Sequence, residues 1–92
     1  MVSREVTITN ALGMHARAAA RFVHAATAFE AQVRVTRGNR VTDGKSIMGI
    51  LLLAAARGTV LTITTDGPDE GEALETLCAL IQSGLGEVPC SA

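Results

Sequence analysis

The spacing of apolar residues changes abruptly at Gly13, and that change limits the folds open to the chain. Before it, residues 4–9 (Arg-Glu-Val-Thr-Ile-Thr) alternate, with Val6 and Ile8 on one side and Thr7 and Thr9 on the other. A period of two marks a strand with one buried face. After it, Ala19, Phe22, Val23, Ala26 and Phe29 fall at helical spacing, which predicts a helix from about Ala16 to Ala28 with one buried stripe. A strand therefore gives way to a helix across Asn10–Met14, and His15 and Arg17 sit where the helix begins.

The alternation of periods continues downstream. Residues 32–37 alternate with Val33 and Val35 inward, Gly38-Asn39 reads as a two-residue hairpin turn with glycine supplying positive φ, and Arg40–Thr42 is a short returning arm. Ile47 to Ala56 predicts a second helix, with Ser46 as its N-cap, Arg57 favourable at its negative end and Gly58 as its stop. That helix is apolar on almost every side, so it must be buried or expose a patch to a partner. Leu52, Leu53 and Ala56 are assigned to the core and Ile47, Met48 and Leu51 to an exposed patch; a helix buried all round is the simpler alternative. Thr59–Thr65 is the last strand, with Leu61 and Ile63 on one face. After the turn Asp66-Gly67-Pro68, the carboxylates of Asp69, Glu70 and Glu72 load the start of a third helix, where they suit its dipole. Leu74, Leu77, Cys78 and Ile81 form its buried stripe, Ser83-Gly84 ends it, and Leu85–Ala92 is a short tail.

The order is βαββαβα. The economical arrangement is α+β, an open-faced β-sandwich: a four-stranded antiparallel sheet with three helices on one face, in a single domain spanning residues 1–92. Two Phe, no Trp or Tyr, and a net charge of −1 argue against nucleic-acid binding, which relies on stacking rings and a basic excess. The N-terminus lacks the pattern of a signal peptide, and the longest uncharged stretch near the middle, Ser46–Ala56, is well short of the roughly 20 apolar residues a membrane span needs. A cytoplasmic protein without membrane insertion is expected. Cys78 and Cys90 have no paired-motif spacing; Cys78 reads as a small buried hydrophobe and Cys90 as a bystander in the tail. His15 and His24, without supporting Cys or carboxylate spacing, do not make a metal site, and no cofactor is expected.

His15 is the residue around which chemistry can be built. A helix N-terminus presents free backbone N–H groups, here those of Ala16 and Arg17, at the positive end of the helix dipole, which makes it an anion cradle. An imidazole there brings a nucleophilic ring nitrogen to the cradle. An imidazole nucleophile beside an anion cradle reads as a phosphoryl acceptor; an exposed or capping histidine without chemistry is the alternative. Arg17, Arg21 and His24 share a basic face that begins at His15, which is either simply solvated or a docking surface for an acidic partner. Gly44-Lys45-Ser46 is not a P-loop, because Asn39 stands where the upstream glycine is required. Ser46 is a cap by its position, and a phosphate added there would meet a helix N-terminus that stabilises it.

At this point the chain resembles HPr, the family of histidine-containing phosphocarriers of the phosphoenolpyruvate-dependent phosphotransferase system. Leu12-Gly-Met-His-Ala-Arg17 resembles the family's phosphorylation motif, Gly44 to Ala56 its serine-site helix, and Gly67-Pro-Asp-Glu followed by Glu72-Ala73-Leu74 the start of its last helix. The resemblance implies a carrier with a transient phosphohistidine, not an independent catalyst. Enzyme I would phosphorylate His15 at Nδ1, Arg17 would steady the phosphate, and a IIA protein or domain would take it on for sugar uptake. Ser46 would be the target of HPr kinase/phosphorylase in lineages that have it. The family's partner surface joins the first two helices, which favours docking at Arg17, Arg21, His24, Ile47, Met48 and Leu51, and a monomer suits such a shuttle. A regulatory, nitrogen-type phosphocarrier is an alternative, as is an interaction protein that depends on Ser46 phosphorylation with His15 idle. The chain departs from many members in carrying Ala18 where they have proline. Alanine is a better helix former, so the helix is expected to survive with looser geometry around His15.

Overall fold

The computed structural model describes residues 1–85, so Cys90 and the expected tail beyond Leu85 lie outside the described residues. The elements are β1 (Val2–Thr7), α1 (Ala16–Thr27), β2 (Gln32–Arg37), β3 (Arg40–Asp43), α2 (Ile47–Leu52), β4 (Val60–Asp66) and α3 (Glu70–Gln82). The strands form one sheet in the order β1-β4-β2-β3, and every neighbouring pair is antiparallel. This is the expected βαββαβα open-faced sandwich.

Register places most apolar residues of the strands on one face, with Val41 and Val60 left exposed on the other. Val6 pairs with Leu61 and Val35 with Ile63, and all four are buried. Phe22, Ala19 and Ala26 of α1 and Leu74, Leu77 and Ile81 of α3 complete that core, with Cys78 among them. Burial of a large side chain such as Phe22 contributes about 1.5–3 kcal/mol. The opposite face of the sheet carries polar side chains, and Ser3 Oγ and Thr64 Oγ1 share a hydrogen bond of 2.9 Å there. Gly38 has φ +60° in the two-residue turn between Arg37 and Arg40, as the hairpin reading requires.

β3 ends one residue later than the sequence reading, at Asp43, and β4 lies one residue later, at Val60–Asp66; three further differences bear on the packing. First, β1 begins at Val2 and ends at Thr7, two residues earlier at each end. Its start is held from outside the strand. The terminal amine of Met1 lies 2.8 Å from Glu70 and 3.7 Å from Asp66, and Arg4 pairs with Glu75 at 2.8 Å. Second, α1 ends at Thr27, one residue before the expected Ala28, and Phe29, expected on the buried stripe, is only half-buried.

The third difference concerns α2, which stops at Leu52 instead of running to Ala56. Leu53 and Ala54 donate to the carbonyls of Ile50 and Leu51, and Ala54 takes φ +51°, which ends the helix. The core assignment changes with it. Ile50, Leu53 and Ala55 are buried, whereas Leu52 is 66% exposed and Ala56 is exposed too. Arg57 and Gly58 belong to the turn into β4, where the Gly58 amide donates to the Ile8 carbonyl.

Asp69 is the N-cap residue of α3, but its side chain makes no capping bond there. Its carboxylate accepts the backbone N–H groups of Glu30 (2.9 Å) and Ala31 (2.8 Å), so it clamps the loop between α1 and β2. Those hydrogen bonds, Glu30's first, hold its carboxyl below the ordinary aspartate value. Lys45 Nζ grips the same loop through the Phe29 carbonyl at 2.8 Å. Burial pushes the Cys78 thiol up, as expected of a small hydrophobe in a core. Among the described residues no helix is long and apolar enough to cross a membrane.

Candidate functional site

The loop that delivers His15 is fixed by its own sequence and by the segment after α2. Asn10 is buried, and its Nδ2 donates to the Gly13 carbonyl at 2.7 Å while the Gly13 amide returns to the Asn10 carbonyl at 3.1 Å. Gly13 has φ +65°, and a Cβ added there would sit 2.6 Å from the Ala55 carbonyl oxygen and 2.9 Å from Ala56 Cα. No other residue type fits that backbone without displacing it. Met14 is buried, and its amide donates to the Ala55 carbonyl at 2.8 Å. The loop is therefore seated on residues 55–56.

His15 follows as the N-cap of α1. Its backbone is extended (φ −79°, ψ 178°), its amide donates to the Gly13 carbonyl at 3.0 Å, and its carbonyl accepts the Ala19 amide at 2.8 Å. Its side chain makes no capping hydrogen bond, and the residue is half-buried. The imidazole is thus not committed to the helix. The Ala16 and Arg17 amides precede the first helical hydrogen bond, so the helix offers them no carbonyl. No acidic residue occupies the first turn, which leaves its positive end unneutralised by the helix itself. Arg17 is exposed and has no ion-pair partner among the described residues. Ala18 is helical and buried to 1% exposure, so α1 keeps its first turn and packs it without proline.

The basic face lies where the spacing put it. Arg17, Arg21 and His24 are all exposed, and with Ala20, Ala25 and Leu80 they line a shallow groove between α1 and α3. On its other side α1 packs against α2. There Ile47 is 42% and Met48 67% exposed, while Leu51 is half-buried against the core. Sequence reasoning missed Leu52 and Leu12, which are 66% and 68% exposed and enlarge the apolar surface. Leu12 stands two residues before Met14 in the loop seated against the end of α2, so that loop and α2 together carry the added apolar surface. Ser46 is the N-cap of α2, and its Oγ accepts the Gly49 amide at 3.1 Å. Among the described residues no three His, Cys, Asp or Glu side chains are grouped so as to hold a metal ion.

The chain as a whole has counterparts among known proteins. A family model described as "PTS HPr component phosphorylation site" matches residues 2–83. The chain belongs to the HPr family. The phosphocarrier protein HPr of Cupriavidus necator is 49% identical over 87 residues, which cover 95% of this chain and 98% of that one. The crystal structure of HPr-C-His from Thermoanaerobacter tengcongensis, 41% identical, superposes with a TM-score of 0.91 and covers 96% of this chain and 99% of that one. A crystal structure of an HPr dimer from the same organism, also 41% identical, covers 95% of this chain and 100% of that chain with a TM-score of 0.76. The HPr family comprises the phosphocarriers of the phosphotransferase system, and this chain has its fold.

Proposed function

We propose that the protein carries a phosphoryl group on His15, taken from phospho-Enzyme I and delivered to a IIA protein or domain for sugar uptake. The observation that carries this reading is the N-cap imidazole, free of any capping bond, beside amides that the helix cannot satisfy. The Nδ1 lone pair attacks phosphorus; the N–P bond forms as the donor's bond to phosphorus breaks. Transfer onward reverses the step at the acceptor. The Ala16 and Arg17 amides and the Arg17 guanidinium favour the negative charge that the ring then bears. A single exposed arginine steadies the group without trapping it. The protein is a carrier and not a catalyst in its own right.

Docking is assigned to Arg21 and His24 of α1 and to Ile47, Met48 and Leu51 of α2, which flank that histidine helix. Ser46 is assigned a regulatory phosphorylation by a kinase of the HPr kinase/phosphorylase type. Phosphate there would replace a hydroxyl that now caps α2 and would place negative charge beside the docking patch. The chain acts as one cytoplasmic domain and as a monomer, since one face must serve successive partners.

The test is incubation with Enzyme I and labelled phosphoenolpyruvate. Label lost in acid, stable in base and absent from His15→Ala is expected. Label retained by folded His15→Ala would place the chemistry elsewhere.

A further inference from the structure

The backbone of residues 52–55 joins three parts of the molecule. From one side it receives the β2–β3 hairpin: Arg37 Nη1 donates to the Leu53 carbonyl at 2.6 Å, and Arg40 Nη1 donates to the Leu52 carbonyl at 3.2 Å. From the other it receives the histidine loop, through the Met14 amide on the Ala55 carbonyl at 2.8 Å and the close approach of Gly13 to Ala55 and Ala56. Between them Ala54 holds φ +51°, a left-handed conformation that an L-residue keeps only when its neighbours enforce it. The helix that ends here has no basic residue in its last turn. Its terminal carbonyls would otherwise point their partial negative charge at nothing but solvent.

We propose that Arg37 is a positioning residue for His15, acting through the carbonyl of Leu53. Its guanidinium fixes the exit of α2, the exit fixes Ala54 in its left-handed state, and Ala55 then presents the carbonyl on which Met14 sits, one residue before His15. Each link is a direct contact, and none runs through the ligand. Arg40 reinforces the same joint at Leu52 through a longer and more exposed hydrogen bond, so its share is smaller. The proposal rests on His15 being the phosphoryl acceptor only for its kinetic consequence; the mechanical coupling stands apart from it.

The experiment compares Arg37→Met, which keeps the aliphatic stem, with Arg37→Lys, which restores a cationic donor. Amide hydrogen exchange is read at Met14, with Leu77 of α3 as the reference for global opening. A charge-assisted bond of this kind predicts that Arg37→Met speeds exchange at Met14 by about tenfold more than at Leu77, and that Arg37→Lys recovers most of the protection. In the second arm, phosphoryl transfer from phospho-Enzyme I is measured at varied carrier concentration. The maximal rate is expected to fall while half-saturation stays in place, because the docking residues are untouched. Equal exchange changes at Met14 and Leu77 would reduce Arg37 to a general stabiliser and overturn the proposal. So would unchanged exchange at Met14. Selective exchange at Met14 with a wild-type transfer rate would overturn the link to His15. Absence of transfer in the unaltered protein would instead refute His15 as acceptor, which the exchange arm distinguishes.

Discussion

Gly13→Ala is the substitution from which the structure draws the largest consequence for the smallest change. Gly13 stands at φ +65°, where an L-residue costs about 1–2 kcal/mol, partly offset by the about 0.4–1 kcal/mol that alanine removes from the unfolded chain's entropy. The new Cβ would meet the Ala55 carbonyl oxygen at 2.6 Å and Ala56 Cα at 2.9 Å, and both are backbone atoms that no rotamer can move aside. Relief requires the loop to lift from residues 55–56, which takes the buried Met14 amide away from its carbonyl. An unsatisfied buried donor costs about 1–3 kcal/mol. The expected loss is about 2–4 kcal/mol, a fall in Tm of roughly 10–30 °C for a domain of this size. Gly71→Ala is the internal control. It lies in α3, nothing stands within 4 Å of its added Cβ, and it is expected to gain about 0.5–1 kcal/mol. Thermal and urea unfolding of both variants, followed by circular dichroism, decide the matter. A Gly13→Ala protein within about 0.5 kcal/mol of the parent would refute the seating of the loop on Ala55, because the contact and the φ penalty would both have to vanish.

Other outcomes follow from the same geometry. Ala54→Gly removes the left-handed penalty at φ +51° and adds glycine's unfolded-state freedom, so stability should be unchanged or up by about 1 kcal/mol; a comparable loss in urea titration would mean that Ala54 is not strained. Ser46→Ala deprives the Gly49 amide of its cap and should cost about 1 kcal/mol by the same titration. Phe22→Ala empties the centre of the core and should cost about 3–5 kcal/mol, read as a lowered denaturation midpoint. Asp69 has a depressed folded pKa, so its stabilising contribution is complete above the unfolded aspartate value and is lost as pH falls through the depressed one. Asp69→Asn should therefore be less stable than the parent at pH 7, with the gap narrowing in acid; a gap that widens on acidification would contradict the clamp on Glu30 and Ala31.

Much of this architecture was legible in residue spacing, because a strand facing a core and a helix facing a sheet leave different periods. Val6, Ile8, Val33, Val35, Leu61 and Ile63 announced their common face, and Ala19, Phe22, Val23 and Ala26 theirs. The end of α2 was not legible. Its run from Ile47 to Ala56 is built of good helix formers, and nothing local stops it before Gly58. The stop is tertiary: Ala55 is drawn to Met14, and the Leu53 carbonyl to Arg37, across long sequence separations. Leu52 was misplaced into the core because a helix apolar all round does not say which face is buried, and here the buried pair is Ile50 and Leu53. The start of β1 was hidden similarly, because its extra residues, Val2 and Ser3, pair with Thr65 and Thr64 of β4 while Glu70 and Asp66 hold the Met1 amine beside them, which spacing within the strand cannot reveal. The candidate site was read from two local features, the glycine turn and the helix that follows at once. Its support was not, since Asn10 and Met14 look like ordinary loop residues until the Gly13 carbonyl and Ala55 are brought to them.

His15 itself is proposed to bear the phosphoryl group. The most direct measurement is nitrogen and phosphorus NMR of the 15N-histidine-labelled protein, taken after incubation with Enzyme I and phosphoenolpyruvate. The expected result is a phosphorus resonance coupled to one ring nitrogen of His15, Nδ1, with His24 unchanged and α1 intact. Phosphorus bound to His24, to Ser46 or to no residue of this chain, in the presence of an Enzyme I that phosphorylates its own carrier, would contradict it.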